Sequence, residues 1–425
     1  MKVSKYNIFL SHETGFFTLN QLSGSILELN EELYLSLKSG NIATIDKEIS
    51  DKLLKTGILC YKDLEEHQII ISRNRMQRYG NKIARLTIMP TINCNFRCWY
   101  CYEEHVESIM SETTIESIVL FAQKLIEDNK LHQFHLDWFG GEPLLHFYNI
   151  VYPLSKKIKN LCDENHIVFV NSITTNGYMI NADMISLLNE IELKTYQITL
   201  DGEKSIHNRT RHTEKDFNTY DKIINNIELL CHNISDVKMS VRINYTIQNI
   251  KTIEKIADSF NANVRHMILI SPHIVWQHSN KIPDWERTIE SKMAVFRQKG
   301  YMIKEYVADP RNCIGCYVEN MLQFVVNYDA KVYKCTARDF KKNNAIGEIT
   351  ANGNFIPTPL YFKYYSTNSA FERKECLECN YLPSCHASCV QKIIEGNKFV
   401  CRKSEIEKNI FKRLENIINK KRLTR

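Results

Sequence analysis

The chain has 425 residues and a mass of 49.9 kDa, enough for two or three domains. Hydrophobic residues make up 44% and charged residues 24%, globular values that exclude a disordered or fibrous chain. No run of about 18 apolar residues occurs, which argues against a membrane-spanning helix. The opening MKVSKYNIFLSHE has too short an apolar stretch for a secretion signal. The expectation is therefore a cytoplasmic protein with no membrane partner. The formal net charge of +6 does not by itself call for a nucleic acid. Clustered cysteines held as thiolates would offset it, and part of the excess gathers at Lys420, Lys421, Arg422 and Arg425.

Residues 1–80 read as a separate small α+β, winged-helix-like domain. KYNIFL and GFFTLNQL are strand-like runs joined by a turn at His12–Gly15. Asn30 then caps a helix that stops at Gly40. A second helix follows Thr44, with Ile45, Ile49, Leu53 and Leu54 on one face, and ends at Gly57.

From 84 to 301 strand-like and helix-like segments alternate. ARLTIMPT, FHLDWFG, VFVNSITTNG, TYQITLDG, KMSVRINYT and VRHMILISP are six β-rich runs separated by amphipathic stretches. The expected fold is α/β, a partial (β/α)6 barrel short of the eight units of a closed one. In such sheets functional residues gather at the C-terminal ends of the strands. Residues 302–425 differ: they are rich in cysteine and loops, and read as a small domain held by metal rather than by a large apolar core. The closing helix carries Phe411, Leu414, Ile417 and Ile418 on one face and should dock on its own domain.

Fourteen cysteines in a chain expected in the cytosol point away from disulfides. Cys60, Cys162 and Cys231 stand alone and read as small buried hydrophobes. The other eleven fall into two groups, and metal is the leading explanation for them. Cys94, Cys98 and Cys101 are spaced so that three sulfurs share one side of a turn. A structural zinc site wants four protein ligands, whereas three thiolates on a [4Fe–4S] cube leave one iron open. A zinc knuckle with a remote fourth ligand is the competing reading.

CxxxCxxC with an aromatic residue, Tyr100, before its last cysteine, placed after the first strand of a βα series, resembles the radical S-adenosylmethionine (SAM) superfamily. The resemblance implies that Cys94, Cys98 and Cys101 hold a [4Fe–4S] cluster whose fourth iron chelates SAM. FGGEP, Phe139–Pro143, ends the second strand where related enzymes meet the methionine amino group, with Gly140, Gly141 and the acceptor Glu142. The glycines would let backbone approach a ligand closely. Asn176 in TTNG and Thr199 in ITLDG follow at the ends of strands three and four; the related enzymes often have serine at the latter place. DGEKSIHNRTR matches the family's DG…H…R pattern, with Arg211 as a cofactor contact and His207 as either a site residue or part of a salt-bridged surface turn. Arg242 in VRIN is either a partner of the SAM carboxylate or a solvent-facing strand residue.

The second group comprises Cys313, Cys316, Cys335, Cys376, Cys379, Cys385, Cys389 and Cys401. Eight thiols suffice for two [4Fe–4S] clusters, although C-x2-C pairs also occur in zinc ribbons. CLECNYLPSCHASC, with its flanking cysteines, resembles the SPASM domain, the auxiliary-cluster extension of radical SAM peptide-modifying enzymes. By that resemblance Cys313, Cys316, Cys335 and Cys389 hold one auxiliary cluster, and Cys376, Cys379, Cys385 and Cys401 the other. Two departures stand out: Ala330 occupies the usual glycine position before Cys335, and His386–Ser388 replaces a glycine-rich stretch.

The N-terminal 80 residues resemble the recognition fold that grips leader peptides in enzymes maturing ribosomally made peptides. The implied partners are a precursor peptide and an electron donor such as flavodoxin or ferredoxin. The expected activity is that of a radical SAM oxidoreductase modifying a peptide by a crosslink or another radical-derived change. The alternatives are an anaerobic sulfatase maturase and, in another class, a zinc-stabilised peptide-binding protein without catalysis.

Overall fold

Six runs that alternate buried apolar with polar residues settle side by side as parallel strands: Ile83–Ile88, Gln133–Trp138, Val168–Thr175, Leu193–Leu200, Lys238–Tyr245 and Ile268–Ile274. They belong to a computed structural model that describes residues 1–278, 285–304, 316–337, 340–367, 370–385 and 389–423. The chain divides into two units. One holds 1–81, 316–321 and 362–423; the other holds 82–304 and 322–361. Cys313 and His386–Ser388 lie outside the described residues.

The second unit carries the partly closed parallel sheet expected from the βα alternation. Its six strands follow one another in chain order across the sheet. On one side of the pleat, Ala84, Leu86, Phe134, Leu136, Tyr196, Ile198, Val241 and Ile243 are buried. Helices such as Glu112–Asn129, Tyr152–Glu164 and Thr219–Asn233 supply buried apolar faces to the same unit. Alternate positions carry Arg85, Asp137, Ser172, Thr174, Gln197, Thr199, Arg242 and Asn244. A closed (β/α)8 barrel fills that side with branched apolar side chains. Here it is polar and cross-linked: Arg85 donates to Asp137 Oδ2 at 2.7 Å, and Ser172 donates to the same carboxylate.

Two short strands extend the sheet beyond the expected six. Met302–Ile303 pairs with the sixth strand. Gln323–Val326, all four residues buried, pairs in parallel with the first. A meander of Lys331–Tyr333, Gly347–Ile349 and Phe355–Pro357 follows it. Residues 322–361, expected in a C-terminal domain, thus belong to the sheet unit. The physical reason is that the first strand would otherwise expose a row of unpaired N–H and C=O groups, and an apolar run satisfies them. The amphipathic stretch at 250–260, between the fifth and sixth strands, holds a 3-10 segment, Ile253–Asp258, in place of an α-helix. Its β-branched Thr252, Ile253 and Ile256 lower α-helix propensity.

The first unit contains a three-stranded antiparallel sheet, Asn7–His12, Gly15–Asn20 and Ile26–Leu29. Asn30 caps the helix Glu31–Ser39 by accepting from Leu33 N–H at 2.8 Å, and Gly40 ends it at φ 80°. A second helix spans Lys47–Lys55. The third helix, Glu66–Tyr79, escapes a periodicity reading because its buried face is Glu66, Ile70, Asn74 and Arg78, three of them polar. One side of the sheet packs Phe9, Leu27 and Leu29 against Leu37, Leu53 and Ile58. Ile8 and Leu19 instead share a core with Tyr381 and with Ile406, Ile410 and Leu414 of the helix Lys403–Leu423. Segments read as two separate domains therefore have one core between them.

Ala330 sits at φ 62° in the turn closed by its N–H to Asn327 O at 3.0 Å, a left-handed conformation that costs an L side chain roughly 1–2 kcal/mol. Ala330→Gly should therefore raise stability by about 1 kcal/mol once the extra freedom of the unfolded glycine is subtracted. The check is the denaturant midpoint of the purified protein; an unchanged or lower midpoint contradicts the strained turn.

Candidate active site

The three-cysteine loop leaves the C-terminal end of the first strand and is closed at its base. Thr91 Oγ1 donates to Ser108 O at 2.6 Å, and Met110 N–H to Pro90 O at 2.9 Å. Inside the loop, Cys94 N–H donates to Asn93 Oδ1 at 2.8 Å, and Cys101 N–H to Cys98 O at 3.0 Å. Phe96 N–H points at Cys94 Sγ at 3.4 Å, and Asn176 Nδ2 lies 3.9 Å from the same sulfur while donating to Asn95 Oδ1 at 2.7 Å. Cys94, Cys98 and Cys101 all line one cavity of about 220 Å³. Tyr100, Gly140, Gly141, Asn176, Thr199, Arg211 and Arg242 line it too, so seven of the eight residues expected around the cofactor meet there.

The eighth, Glu142, has a different position. It is fully buried and absent from the cavity wall. Its oxygens accept from Thr175 Oγ1 at 2.7 Å, Asn176 N–H at 2.7 Å and Leu144 N–H at 3.0 Å. The carboxylate thus ties the end of the third strand to the turn after the second. The paired glycines act on the loop as well. Gly141 N–H donates to Thr91 O at 3.2 Å, and Glu142 N–H to Asn93 O at 2.9 Å. A Cβ on Gly141 would stand 2.1 Å from Asn93 O, and one on Gly140 2.4 Å from Thr91 O. The close approach expected of these glycines is therefore first to the cysteine loop's own backbone.

Tyr100 anchors the loop from the other side. Its hydroxyl donates to Asp201 Oδ1 at 2.8 Å and accepts from Arg211 at 2.8 Å and Asn244 Nδ2 at 3.1 Å. Asp201 and Arg211 are both buried. Burial pushes the Asp201 carboxyl up, opposed by the Arg211 guanidinium and the Tyr100 hydroxyl. His207 is wholly buried, so it is neither a surface turn residue nor part of the cavity wall. Its Nδ1 accepts from Asp201 N–H at 3.3 Å, and burial holds its ring well below the usual histidine range. Arg242 faces the lumen and donates to Asn244 Oδ1 at 2.9 Å.

Several cavity residues were not singled out from sequence. Asn244 follows Arg242 by two on the same strand face, which a period of two would have flagged. Glu103 and His105 complete the cysteine loop; His105 Nε2 lies 3.3 Å from Cys101 Sγ, and burial pushes Glu103 up to about 7. At the cavity's edge, Tyr102 stacks on Trp276 with ring centroids 6.0 Å apart. No local sequence signal marks Trp276, which follows the sixth strand.

The cysteine-rich field lies in both units. Cys335 follows the strand Lys331–Tyr333 in the sheet unit, while Cys316 and Cys389 belong to the other. Cys376, Cys379, Cys385 and Cys401 share the first unit, and burial together with the charges of the other three pushes the Cys376 thiol up. Among the described residues no three His, Cys, Asp or Glu side chains converge as ligands of a single ion.

The comparisons agree with this geometry. The family model described as Radical SAM superfamily matches residues 88–261. A cysteine-type anaerobic sulfatase-maturating enzyme of Clostridium novyi is 26% identical over 344 residues, covering 72% of this chain and 88% of the relative. A GTP 3′,8-cyclase of Clostridium botulinum is 24% identical over 319 residues, covering 68% and 92%. Among solved structures, anSMEcpe with bound AdoMet and Cp18Cys peptide aligns at a TM-score of 0.56 and 18% identity, over 80% of this chain and 99% of that one. Streptococcus suis SuiB bound to precursor peptide SuiA aligns at 0.52 and 17%, over 93% of this chain and 98% of that one. These structural likenesses show the fold. With the three-cysteine loop at the strand ends and the family match across the sheet, residues 88–261 form a radical SAM domain.

Proposed function

We propose that this protein is a radical SAM/SPASM peptide maturase that modifies a ribosomally made precursor peptide. The superfamily uses a [4Fe–4S] cluster and SAM. What carries the reading is the single cavity that collects three thiols and the polar ends of strands three to five. Cys94, Cys98 and Cys101 would hold the cluster, and Asn176, Thr199, Arg242 and Asn244 offer polar groups to SAM. Bound there, the cluster and SAM would supply one-electron reductive chemistry at a sulfonium. The chain's own part is to fix the loop through Tyr100 and Gly141, and to shield the site with Phe139, Ile274 and Val275. A flavodoxin or ferredoxin would deliver the electron. Cys313, Cys316, Cys335 and Cys389 would hold one auxiliary cluster, and Cys376, Cys379, Cys385 and Cys401 the other.

The N-terminal sheet supports a peptide partner. Residues of its own unit cover it on both faces, so an extended chain can add only at an edge. Near Asn7 the first edge is flanked by Ile58: Asn7 Nδ2 and Ser4 N–H both donate to its carbonyl. The other edge is Ile26–Leu29. Asn20 N–H donates to Ser25 O, so the two-residue alternation of the ladder turns the N–H of Ile26 and Glu28 outward. A second reading, an anaerobic sulfatase maturase, is favoured by the Clostridium novyi relative; its product would be formylglycine in a sulfatase peptide.

The reading is tested by searching for a short Cys-, Gly- or Ser-rich reading frame neighbouring this one and incubating its peptide anaerobically with SAM and reductant. A mass change in the peptide supports it; an unchanged peptide despite 5′-deoxyadenosine release overturns the pairing. Iron and sulfide near about 12 each are expected for three clusters, and a colourless zinc protein would contradict catalysis. Cys98→Ala should abolish 5′-deoxyadenosine formation. Gly141→Ala should weaken cluster retention by about 10–100-fold by displacing the loop, read as iron retained after desalting. Glu28→Pro removes one outward N–H while sparing the ladder, and should weaken peptide binding about 5–10-fold in titration calorimetry.

A further inference from the structure

The N-terminal sheet and the four cysteines Cys376, Cys379, Cys385 and Cys401 are parts of one construction. Cys379 and Cys385 pack in the core formed by Ile8, Leu19, Ile406, Ile410 and Leu414. Cys376 packs with Tyr6, Ile70 and Leu382. The turn that carries these thiols is also gripped by N-terminal side chains: Lys5 Nζ donates to Leu377 O at 2.9 Å, and Gln21 Nε2 to Asn380 O at 2.6 Å. Gln21 is buried. Around these cysteines regular structure is scant, limited to the four-residue helix Lys374–Leu377 and the 3-10 turn Leu382–Ser384. Cys401 stands just before the helix Lys403–Leu423, whose Ile406, Ile410 and Leu414 cover the N-terminal sheet.

We propose that the metal cluster held by Cys376, Cys379, Cys385 and Cys401 is a staple that fixes the N-terminal sheet, so that only cluster-loaded protein presents an ordered strand edge to a peptide. The coupling is mechanical. Binding four thiolates fixes the 376–385 turn relative to Cys401, and this sets the start of the last helix against Ile8 and Leu19. Metal-binding free energy then becomes folding free energy of the sheet. Loss of the cluster, as on exposure to oxygen, would disable substrate recognition. The staple rests on the ligand assignment above, and its consequence for a peptide rests on the peptide reading as well.

The test is hydrogen exchange resolved by segment, without peptide or SAM, on reconstituted wild type, Cys376→Ser/Cys385→Ser and Cys98→Ala proteins. In the double variant, iron should fall by about 4 per chain, and protection of residues 7–20 should drop at least about 10-fold while residues 238–245 are unchanged. Cys98→Ala should leave 7–20 protected. Undiminished iron overturns the ligand assignment and the staple with it. Diminished iron with unchanged exchange over 7–20 overturns the staple alone. Should the double variant lose protection throughout, wild type stripped gradually by chelator decides: loss over 7–20 in step with iron, ahead of 238–245, supports the staple, and parallel loss overturns it.

Discussion

Two backbone hydrogen bonds bear the site: Gly141 N–H to Thr91 O, and Glu142 N–H to Asn93 O. They lay the end of the second strand against the root of the cysteine loop so closely that no side chain fits between them. Glu142 then spends its carboxylate on the third strand, through Thr175 and Asn176. Asn176 in turn reaches Asn95 and Cys94. Three strand ends and the first thiol are thereby held in one network. Buried and fully hydrogen-bonded, such a network fixes a geometry more than it adds net stability. Radical chemistry needs that fixity, because the cofactor must meet its thiolates and the substrate hydrogen in one arrangement.

The opposite side of the loop is held by Tyr100, whose single hydroxyl serves a buried aspartate, a buried arginine and an asparagine. A residue lodged between Cys98 and Cys101 is tied to the fourth and fifth strands, so the sheet's rigidity reaches the sulfurs. Arg211 is part of this anchor and lines the cavity as well. The polar lumen follows the same logic: in place of a packed apolar barrel core, ion pairs and hydroxyls keep space for a ligand.

Much of this was legible in the residues. The six parallel strands announce themselves by buried apolar residues at every second place, and Asn30 and Gly40 mark a helix at both ends. The cysteine spacing carries the site. What stayed hidden was encoded through partners distant in sequence. Gln323–Val326 reads as an isolated apolar scrap until the first strand's open edge is known. The helix Glu66–Tyr79 conceals its buried face behind Glu66, Asn74 and Arg78. Glu142 has the composition of a ligand-binding acid, and only the positions of Thr175 and Asn176 show that its oxygens are already engaged. The division into domains was obscured most, since Ile8 and Leu414 are neighbours in one core across the length of the chain.

The central claim is that the cavity holding Cys94, Cys98 and Cys101 brings SAM onto an iron left open by the protein. Electron paramagnetic resonance of the reduced, reconstituted protein, recorded with and without SAM, addresses it most directly. The account predicts that adding SAM shifts the iron–sulfur signal, and that Cys98→Ala protein, with its auxiliary clusters intact, shows no such shift. A wild-type spectrum indifferent to SAM would contradict the account at its root.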